Sequence, residues 1–264
     1  MEIALLASGS QGNAILVRGS EGAFLIDAGL SARQIAGRLA AFGVSPSELA
    51  GLVVTHEHID HVRGAGALAR KWGLPIWTNR ATREAGAGLL GPIGRWHEVE
   101  IGAPFELAGV RIEPFSVPHD AADPFGLLLE NGDGYRVGLA TDMGFVTRLV
   151  RERMKGVQGL ILEFNHELDM LLSGPYPWPL KQRIRGKLGH LSNEDAAGLL
   201  AEVAGPDLEW VVCAHISQEN NEERIVLERA SDALNGCAFA PFAASQDRAT
   251  PRFGPGGPLS EAAP

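Results

Sequence analysis

The chain has 264 residues, of which 45% are hydrophobic, and a formal net charge of −9. This length and apolar content suffice to bury a large core, as one large domain or two small ones, so a short peptide is excluded. The excess of acids disfavours non-specific binding of nucleic acid or anionic membrane by the surface as a whole. The two cysteines, Cys213 and Cys237, are too few for a disulfide framework.

The first residues lack a basic segment followed by an apolar one, and no run reaches the ~18 apolar residues of a membrane helix. We therefore expect a cytoplasmic protein with no membrane partner. Cys213 lies in the apolar run "WVVCAH", which predicts a buried free thiol. The oligomeric state stays open, with a homodimer as one alternative.

The predicted elements alternate between strands and helices at both ends of the chain. Before residue 80, the patterns predict strands over 2–7, 13–19, 22–29, 49–55 and 74–79, and helices over 31–43 and 58–73. Residues 97–141 read as consecutive short strands separated by turn residues, as in hairpins. Beyond them we predict helices over 145–155, 192–205 and 221–235, and strands over 156–165 and 207–215. Ser31 and Ser192 are the predicted helix caps.

This order favours an α/β protein in which two sheets pack together with helices outside. We predict one hydrolase domain over residues 1–242. Residues 243–264 are rich in Pro, Gly and Ala without periodicity, which predicts a disordered tail.

The segment "HEHIDH", residues 56–61, follows a buried strand directly. His56 and His58 are two residues apart, so on extended backbone both side chains point the same way. Asp60 and His61 follow where a helix would begin, and one turn can aim two donor pairs at neighbouring points. An exposed charged loop is the alternative, but the density of donors favours a site for divalent metals.

Further candidate ligands follow other apolar runs. His119, Asp142 and His215 each come after a predicted strand, and strand ends along one edge of a sheet converge. Any one of them alone could be an ordinary loop residue. Together they complete a site for two metal ions, zinc or manganese. One ion would take His56, His58 and His119, the other Asp60, His61 and His215, with Asp142 bridging them.

The order of these donors resembles the metallo-β-lactamase superfamily, which implies a four-layer αββα sandwich with the metals at the sheet edges. Asp27, at the end of "AFLIDAG", matches an acid that orients a ligand histidine in that family, although it could instead cap the next helix. "ASGSQGNAILV", "VPHDAADPFG", "LEFNHE" and "AHISQENN" further resemble the WalJ/YycJ branch. That resemblance implies 5′-to-3′ exonuclease activity on DNA. At Met143 and Phe164, which are not proposed ligands, the chain has residues that differ from those expected in this branch.

Glu163 and His190 match a glutamate–histidine pair of phosphodiester-cleaving relatives. The resemblance implies that His190 contacts a phosphate oxygen or protonates the leaving oxygen while Glu163 orients it. Asp60 is the third predicted catalytic residue, accepting a hydrogen bond from a nucleophilic hydroxide that bridges the metals. For His190, a position beside a helix cap is the alternative.

A basic stretch lies just before His190. It contains Lys181, Arg183, Arg185 and Lys187, and the aromatic residues Tyr176 and Trp178 precede it. Cations beside aromatic rings suit a phosphate backbone with stacked bases, so we predict a surface for nucleic acid, as DNA. A solvated helix face is the alternative. The loop "SGSQGN" is either a phosphate loop or a tight hairpin.

Two other functions compete with a nuclease. A small-molecule hydrolase acting on a cyclic phosphodiester, thioester or lactone would keep the metals without needing the basic stretch. A metal-binding module without catalysis is disfavoured, because the donor set is complete.

Overall fold

A computed structural model describes residues 1–260 of the chain. The first six strands are β1 (Glu2–Ala7), β2 (Ala14–Gly19), β3 (Gly22–Ile26), β4 (Leu49–Val53), β5 (Ile76–Thr78) and β6 (Trp96–Glu98). The next six are β7 (Phe105–Leu107), β8 (Val110–Ser116), β9 (Phe125–Asn131), β10 (Arg136–Ala140), β11 (Gly159–Glu163) and β12 (Trp210–Ala214). Three short strands follow, β13 (Phe242–Ala243), β14 (Arg252–Gly254) and β15 (Gly257–Ser260).

The helices lie between these strands. They are α1 (Ala32–Ala41), α2 (Ile59–Val62), α3 (Ala65–Trp72), α4 (Arg80–Ala85), α5 (Ala87–Leu90), α6 (Arg148–Met154), α7 (Leu168–Ser173), α8 (Trp178–Ile184), α9 (Asn193–Val203) and α10 (Glu223–Ala233), with a 3₁₀ turn at Pro46–Glu48. The side chain of Ser31 caps α1 and that of Ser192 caps α9, as predicted. The described residues contain no helix with the length and apolar content needed to cross a membrane.

The strands form two sheets. One has the order β15-β14-β1-β2-β3-β4-β5-β6, and the other β13-β12-β11-β10-β9-β8-β7. β7 to β10 form the predicted antiparallel hairpins, but β6 pairs parallel with β5 in the first sheet. The prediction of one run of hairpins from residue 97 is therefore wrong at its start, because "WHEVE" follows a helical crossover and joins the preceding parallel strands.

Each inner strand sends alternate side chains into different cores. Ile15 and Val17 face the core between the two sheets, whereas Leu16 packs on the opposite face under the helices. Ile161 likewise faces the central core, and Leu162 lies in the outer core of the second sheet. The side-chain period of two in a strand, with both faces covered, produces four layers. The αββα sandwich predicted from the sequence is confirmed.

The carboxyl ends of parallel strands lie along one edge of each sheet. β3, β4 and β5 run parallel in the first sheet, and β10, β11 and β12 run parallel in the second. The turns that leave these six strands carry most of the predicted metal donors. The topology therefore brings donors from both halves of the chain to one edge of the sandwich.

The disordered tail predicted from residue 243 is wrong over the residues that the structure describes. β14 extends the first sheet by pairing antiparallel with β1, and the Phe253 side chain is 3% exposed and packs on Trp210. Thr250 Oγ1 accepts a hydrogen bond from Leu5 N at 3.0 Å. Composition misled because β14 obtains its backbone partners from β1 and β15 and needs only one buried apolar side chain to anchor it. Residues 261–264 lie outside the described residues.

Candidate metal centre

The turn that carries "HEHIDH" connects β4 to α2. His56 follows the strand by three residues, and His58 is the N-cap residue directly before α2. Neighbouring backbone holds the turn, since the carbonyl of Asp60 accepts a hydrogen bond from Asn13 N at 2.8 Å. Gly29 lies so close that a Cβ there would come within 1.6 Å of the same carbonyl oxygen. Only glycine fits at this position.

The structure brings the first predicted donor group together. His56, His58 and His119 each offer a ring nitrogen, and the three atoms lie within 4.8 Å of one another. Nδ1 of His58 lies 3.2 Å from Nε2 of His119. Nε2 of His56 is buried and has no hydrogen-bond partner among the described residues. A buried nitrogen without a partner, facing two other imidazoles, fits a divalent metal ion.

The second donor group contains Asp60, His61, Asp142 and His215, whose donor atoms also lie within 4.8 Å of one another. Nε2 of His61 is 3.5 Å from Asp60 Oδ2 and 3.4 Å from Asp142 Oδ2. Nε2 of His215 is 3.3 Å from Asp60 Oδ2 and 3.4 Å from Asp142 Oδ1. The carboxylate of Asp142 also reaches toward the first group, with Oδ1 3.9 Å from His119 Nε2. Mixed imidazole and carboxylate donors fit zinc or manganese.

Three residues of the centre have left-handed backbone conformations. Asp27, Asp142 and His215 follow β3, β10 and β12, with φ of 58°, 58° and 52°. Residues other than glycine rarely adopt this region, and each instance costs on the order of 1–3 kcal/mol. The conformation ends the strand abruptly and keeps the side chain at the sheet edge. Local strain at three strand ends thus coincides with the converging donors.

Asp27 contacts His61, one of the candidate ligand histidines. Its Oδ2 accepts a hydrogen bond from His61 Nδ1 at 2.7 Å, which leaves Nε2 of that ring directed at the donor group. Thr55 holds the carboxylate by donating from its backbone N–H and from its hydroxyl. This arrangement fixes the ring tautomer and orientation of His61. Capping of α1, the alternative role considered for Asp27, belongs to Ser31 instead.

Electrostatics differ between the two groups. Burial lowers the pKa of His56 well below its usual value. Burial opposes charge at Asp142, but His215 and His61 outweigh it and hold the pKa of the carboxyl well below its usual range. Burial also opposes charge on both of these histidines, yet the pKa of each is raised, with Asp142 the strongest cause. Protons and divalent cations therefore compete for these nitrogens.

Asp60 lies at the solvent side of the second group. Burial opposes its charge, but His61 and His215 outweigh burial and lower the pKa of Asp60 far below its usual range. Nδ2 of Asn13 lies 3.3 Å from Asp60 Oδ2 and 3.1 Å from His61 Nε2. Asn13 was not among the predicted site residues. Its place in "SGSQGN" gave a signal only for a turn or a phosphate loop.

Glu163 and His190 form the pair implied by the resemblance. Oε1 of Glu163 lies 2.7 Å from His190 Nδ1, and Oε2 accepts hydrogen bonds from the backbone of Met143 and Leu191. Burial alone would raise the pKa of Glu163, but the charge interaction with His190 outweighs it and lowers the pKa to about 2. The buried carboxylate thus holds His190 through Nδ1, so Nε2 is the nitrogen left for a substrate.

His190 lies beside the second donor group. Its ring is 5.0 Å from that of His215, with the two planes 16° apart. Donor atoms of Asp142, Glu163, His190 and His215 also lie within 4.8 Å of one another. Because the Glu163–His190 hydrogen bond already uses Nδ1 of His190, we interpret this overlap as contact between the histidine and the metal centre.

The basic stretch is divided by the structure. Lys181 is buried, and its ammonium donates to the carbonyls of Leu172 and Gly174 at the end of α7. The prediction that Lys181 binds substrate is therefore wrong, because both contacts are internal. Arg183 is exposed and pairs with Asp120 at 2.5 Å. The helix α8 ends before Arg185, so the stretch is not one helix face.

The remaining members of the predicted surface are accessible. Arg185 and Lys187 are exposed, Trp178 is 54% exposed and Tyr176 is half-buried. Asp120, which follows His119, was missed by sequence reasoning. Its Oδ1 lies 3.5 Å from His119 Nε2 and 3.7 Å from His58 Nε2. Its position directly after His119, a predicted metal donor at a strand end, could have indicated that it lies at the site.

Comparison with known proteins agrees with this geometry. The family model described as "Beta-lactamase superfamily domain" matches residues 23–216, which contain every predicted metal donor. The chain belongs to the metallo-β-lactamase superfamily. Within it, the chain is 37% identical over 257 residues to exodeoxyribonuclease WalJ of Streptococcus pneumoniae, covering 94% of this chain and 95% of the relative. It is 34% identical over 241 residues to exodeoxyribonuclease YycJ of Bacillus anthracis, covering 90% and 91%.

A solved structure shows the same fold. The metallo-β-lactamase fold protein YhfI of Bacillus subtilis superposes with a TM-score of 0.72 at 15% identity, covering 94% of this chain and 98% of that one. Superfamily membership and the named relatives make the protein a metal-dependent hydrolase, and the two donor groups are its candidate sites for divalent metal.

Proposed function

We propose that this metallo-β-lactamase superfamily hydrolase is a 5′-to-3′ exodeoxyribonuclease that uses two divalent metal ions. One observation carries the proposal: two donor groups meet at Asp142, with the Glu163–His190 pair directly beside them. The two exodeoxyribonucleases that share more than a third of their residues with this chain over nearly its full length support the choice of substrate.

The donor groups define which residues would hold the ions. His56, His58 and His119 would hold one ion, and Asp60, His61 and His215 would hold the other. Asp142 lies close to both groups. When bound, two such ions lower the pKa of water and neutralise charge on phosphoryl oxygens.

Asp60 and His190 have different roles toward the protons of the reaction. Asp60, at the solvent side of the centre, accepts a hydrogen bond from the attacking water and orients it. The water oxygen forms a bond to phosphorus and releases one proton past Asp60 to the solvent, while the bond between phosphorus and the 3′ oxygen of the terminal nucleotide breaks. His190 donates the proton from Nε2 to that departing oxygen, and Glu163 stabilises the positive ring through Nδ1. His190 and Asp60 are therefore catalytic residues, and Glu163 is a positioning residue.

The exposed part of the basic stretch binds the strand. Arg183, Arg185 and Lys187 supply positive charge, and Trp178 with Tyr176 supplies aromatic surface. The net charge of the chain is −9, so a local cationic segment beside the metal centre is where a polyanion would dock. Lys181 is not part of this surface.

A nuclease assay on metal-analysed protein tests the proposal. Double- and single-stranded DNA and RNA, labelled at either end, are incubated with Mn²⁺ or Zn²⁺, and the Asp60→Ala/His61→Ala double variant is run alongside. We expect stepwise loss of nucleotides from the 5′ end of DNA, absent in the double variant, and two ions per chain in the wild type. Fully loaded wild-type protein that leaves all four polymers intact would overturn the proposal in favour of a small phosphodiester, thioester or lactone.

Charge reversal separates polymer from small-molecule hydrolysis. Arg183→Glu/Arg185→Glu should lower cleavage of DNA at least tenfold and leave hydrolysis of bis(p-nitrophenyl) phosphate nearly unchanged. The matched control is Arg224→Glu, since Arg224 is exposed on α10 and is not part of the proposed strand surface. Equal effects on both substrates would contradict a role of the basic stretch in binding DNA.

A further inference from the structure

A cavity of about 170 Å³ opens beside the metal centre, and no step proposed above uses it. Its lining includes Leu180 and Ile184 of helix α8 and Ser10 and Ser217 from two turns at the sheet edge. His190 lies in its lining, so the cavity adjoins the residue that protonates the departing oxygen. A cavity near 150 Å³ accommodates one benzene-sized ring. The space therefore suits a single ring system rather than a stretch of polymer.

The charged side chains in the lining are already paired. Arg183 is bound to Asp120 at 2.5 Å, and His190 is bound to Glu163 at 2.7 Å. The carboxylate of Asp120 also lines the cavity and would repel an anion. A free phosphate is therefore a poor match for the cavity.

Three neutral polar residues in the lining have uncommitted groups, whereas the hydroxyl of Ser217 already accepts hydrogen bonds from Asn220. Within residues 1–260, neither the hydroxyl of Tyr176 nor that of Ser10 has a hydrogen-bond partner, and Asn165 uses only its amide nitrogen. Tyr176, Leu180 and Ile184 supply apolar surface to the lining. Free neutral donors and acceptors together with apolar surface match the edge and face of a nucleobase.

We propose that this cavity is a subsite for one nucleobase, that of the terminal residue of the DNA strand on the departing side of the scissile phosphate, with the sugar and any 5′-phosphate of that residue outside the cavity. This inference rests on the proposed function and deepens it. A cavity that holds one ring beside the proton donor places the scissile bond one nucleotide from the end, which gives a physical basis for cleavage from ends. The terminal base contributes to binding, and a terminal phosphate contributes little inside the cavity.

Two changes test the contact between the terminal base and the cavity. One removes the base from the substrate, and the other fills the cavity with a larger side chain. We compare DNA ending in a normal 5′ nucleotide with DNA ending in an abasic tetrahydrofuran residue. For the wild type, loss of the base should lower kcat/KM about tenfold, the size expected of one stacked base. Leu180→Trp should lower kcat/KM for the normal end about tenfold and should make the enzyme insensitive to the missing base. Equal rates on both ends in the wild type would overturn the proposal.

The control for Leu180→Trp is Gln182→Trp, which adds the same ring to an exposed position of the same helix. It should keep wild-type kcat/KM and wild-type sensitivity to the base. If both variants behave alike, the cavity is not the subsite. Tyr176→Phe, which removes one oxygen without crowding, should lower kcat/KM by several-fold for the normal end only, and an equal loss on both ends would contradict the proposed contact.

Direct binding separates failure of the subsite from failure of the proposed function. Deoxyadenosine and inorganic phosphate are titrated separately into the wild type and Leu180→Trp, with NMR signals of Tyr176 and Leu191 as reporters. We expect deoxyadenosine, and not phosphate, to shift these signals in the wild type, with the shifts lost in the variant. A wild type that binds deoxyadenosine in this way but cleaves no DNA would retain the subsite and lose the exonuclease proposal. Shifts by phosphate alone, or none, would overturn the subsite.

Discussion

The carboxylate of Asp27 lies 2.7 Å from Nδ1 of His61, although the two residues belong to turns that follow different strands. Because Thr55 also donates to Asp27 through its backbone and hydroxyl, the carboxylate connects the end of β3 to the start of the metal turn. The orientation of one donor histidine therefore depends on a residue that contacts no proposed metal position itself.

Asp27→Asn should weaken metal binding without unfolding the chain. The amide keeps the shape of the side chain but loses the charge that holds His61, and partners of this kind contribute about 10- to 100-fold to metal affinity or activity. Competition with a zinc chelator measures the change. Asp133→Asn is the control, since Asp133 is exposed in a hairpin turn. Unchanged affinity in Asp27→Asn would show that His61 needs no orienting partner.

Glu163→Gln should lower kcat about 10- to 100-fold while the metal content stays at the wild-type level, because Glu163 acts through His190. His190→Ala should lower kcat as well, and the double variant should be no slower than the worse single variant, since the two residues act as a unit. Steady-state kinetics on DNA with elemental analysis measures both. Multiplicative losses would show that the two residues act independently.

The pKa of Glu163 predicts a dependence of stability on pH. It is lowered to about 2 in the folded protein, against 4.5 as the ordinary value. A carboxyl whose folded pKa is depressed contributes stability that is present above the unfolded pKa and lost as pH falls through the folded pKa. Chelator-treated wild type should therefore lose on the order of 3 kcal/mol between pH 4.5 and 2 through this group. In denaturant unfolding, the free energy of unfolding of Glu163→Gln should fall less than that of the wild type over this pH range. Equal falls in the two proteins would contradict the prediction.

Phe253→Ala should destabilise the fold even though the residue lies in a segment of low apolar content. Phe253 is 3% exposed, and its ring centroid lies 5.0 Å from that of Trp210. Removing a buried phenyl ring costs about 3–5 kcal/mol. Leu259→Ala, at a position 44% exposed, should cost less than 1 kcal/mol and serves as the control. Equal unfolding free energies for the two variants would show that β14 is not part of the core.

Substitution of Lys181 should affect stability but not DNA binding, and substitution of Lys187 should affect DNA binding but not stability. Lys181→Met removes an ammonium that donates to two carbonyls, so it should lower the unfolding free energy by about 1–3 kcal/mol and leave the salt dependence of DNA affinity unchanged. Lys187→Met should leave stability unchanged and reduce the salt slope by about 1. Binding titrations over a range of salt concentrations, with thermal unfolding, distinguish them. The reverse pattern would restore Lys181 to the binding surface.

Strand alternation was enough to predict two packed sheets with helices outside, and the family resemblance implied the four-layer order. Alternate apolar residues such as Ile15 and Leu16 specify two covered faces, and His119, Asp142 and His215 each follow such a run, so convergence at one edge follows from topology. The branch of the family and the role of Asp27 came from resemblance, since no spacing links that residue to His61.

Other features depend on long-range partners that local sequence does not encode. Whether Lys181 is a surface cation or an internal donor is decided by the end of α7, which brings two free carbonyls to it. β14 forms because β1 offers an open edge, not because its own residues favour a strand. The cavity beside α8 is lined from five separate parts of the chain, at residues 10, 120, 165, 176–190 and 217, and no pattern in any one of them indicates it.

The left-handed residues at the strand ends link catalysis to a trade-off between stability and activity. At Asp142 and His215, glycine would relieve the backbone strain but would remove a donor. Selection for stability alone would favour glycine at these positions, and selection for turnover favours a strained acid or histidine. The candidate metal centre thus lowers the stability of the fold locally, and burial in the three cores of the sandwich offsets that cost. A relative selected for stability and not for activity would be expected to replace these strained donors first.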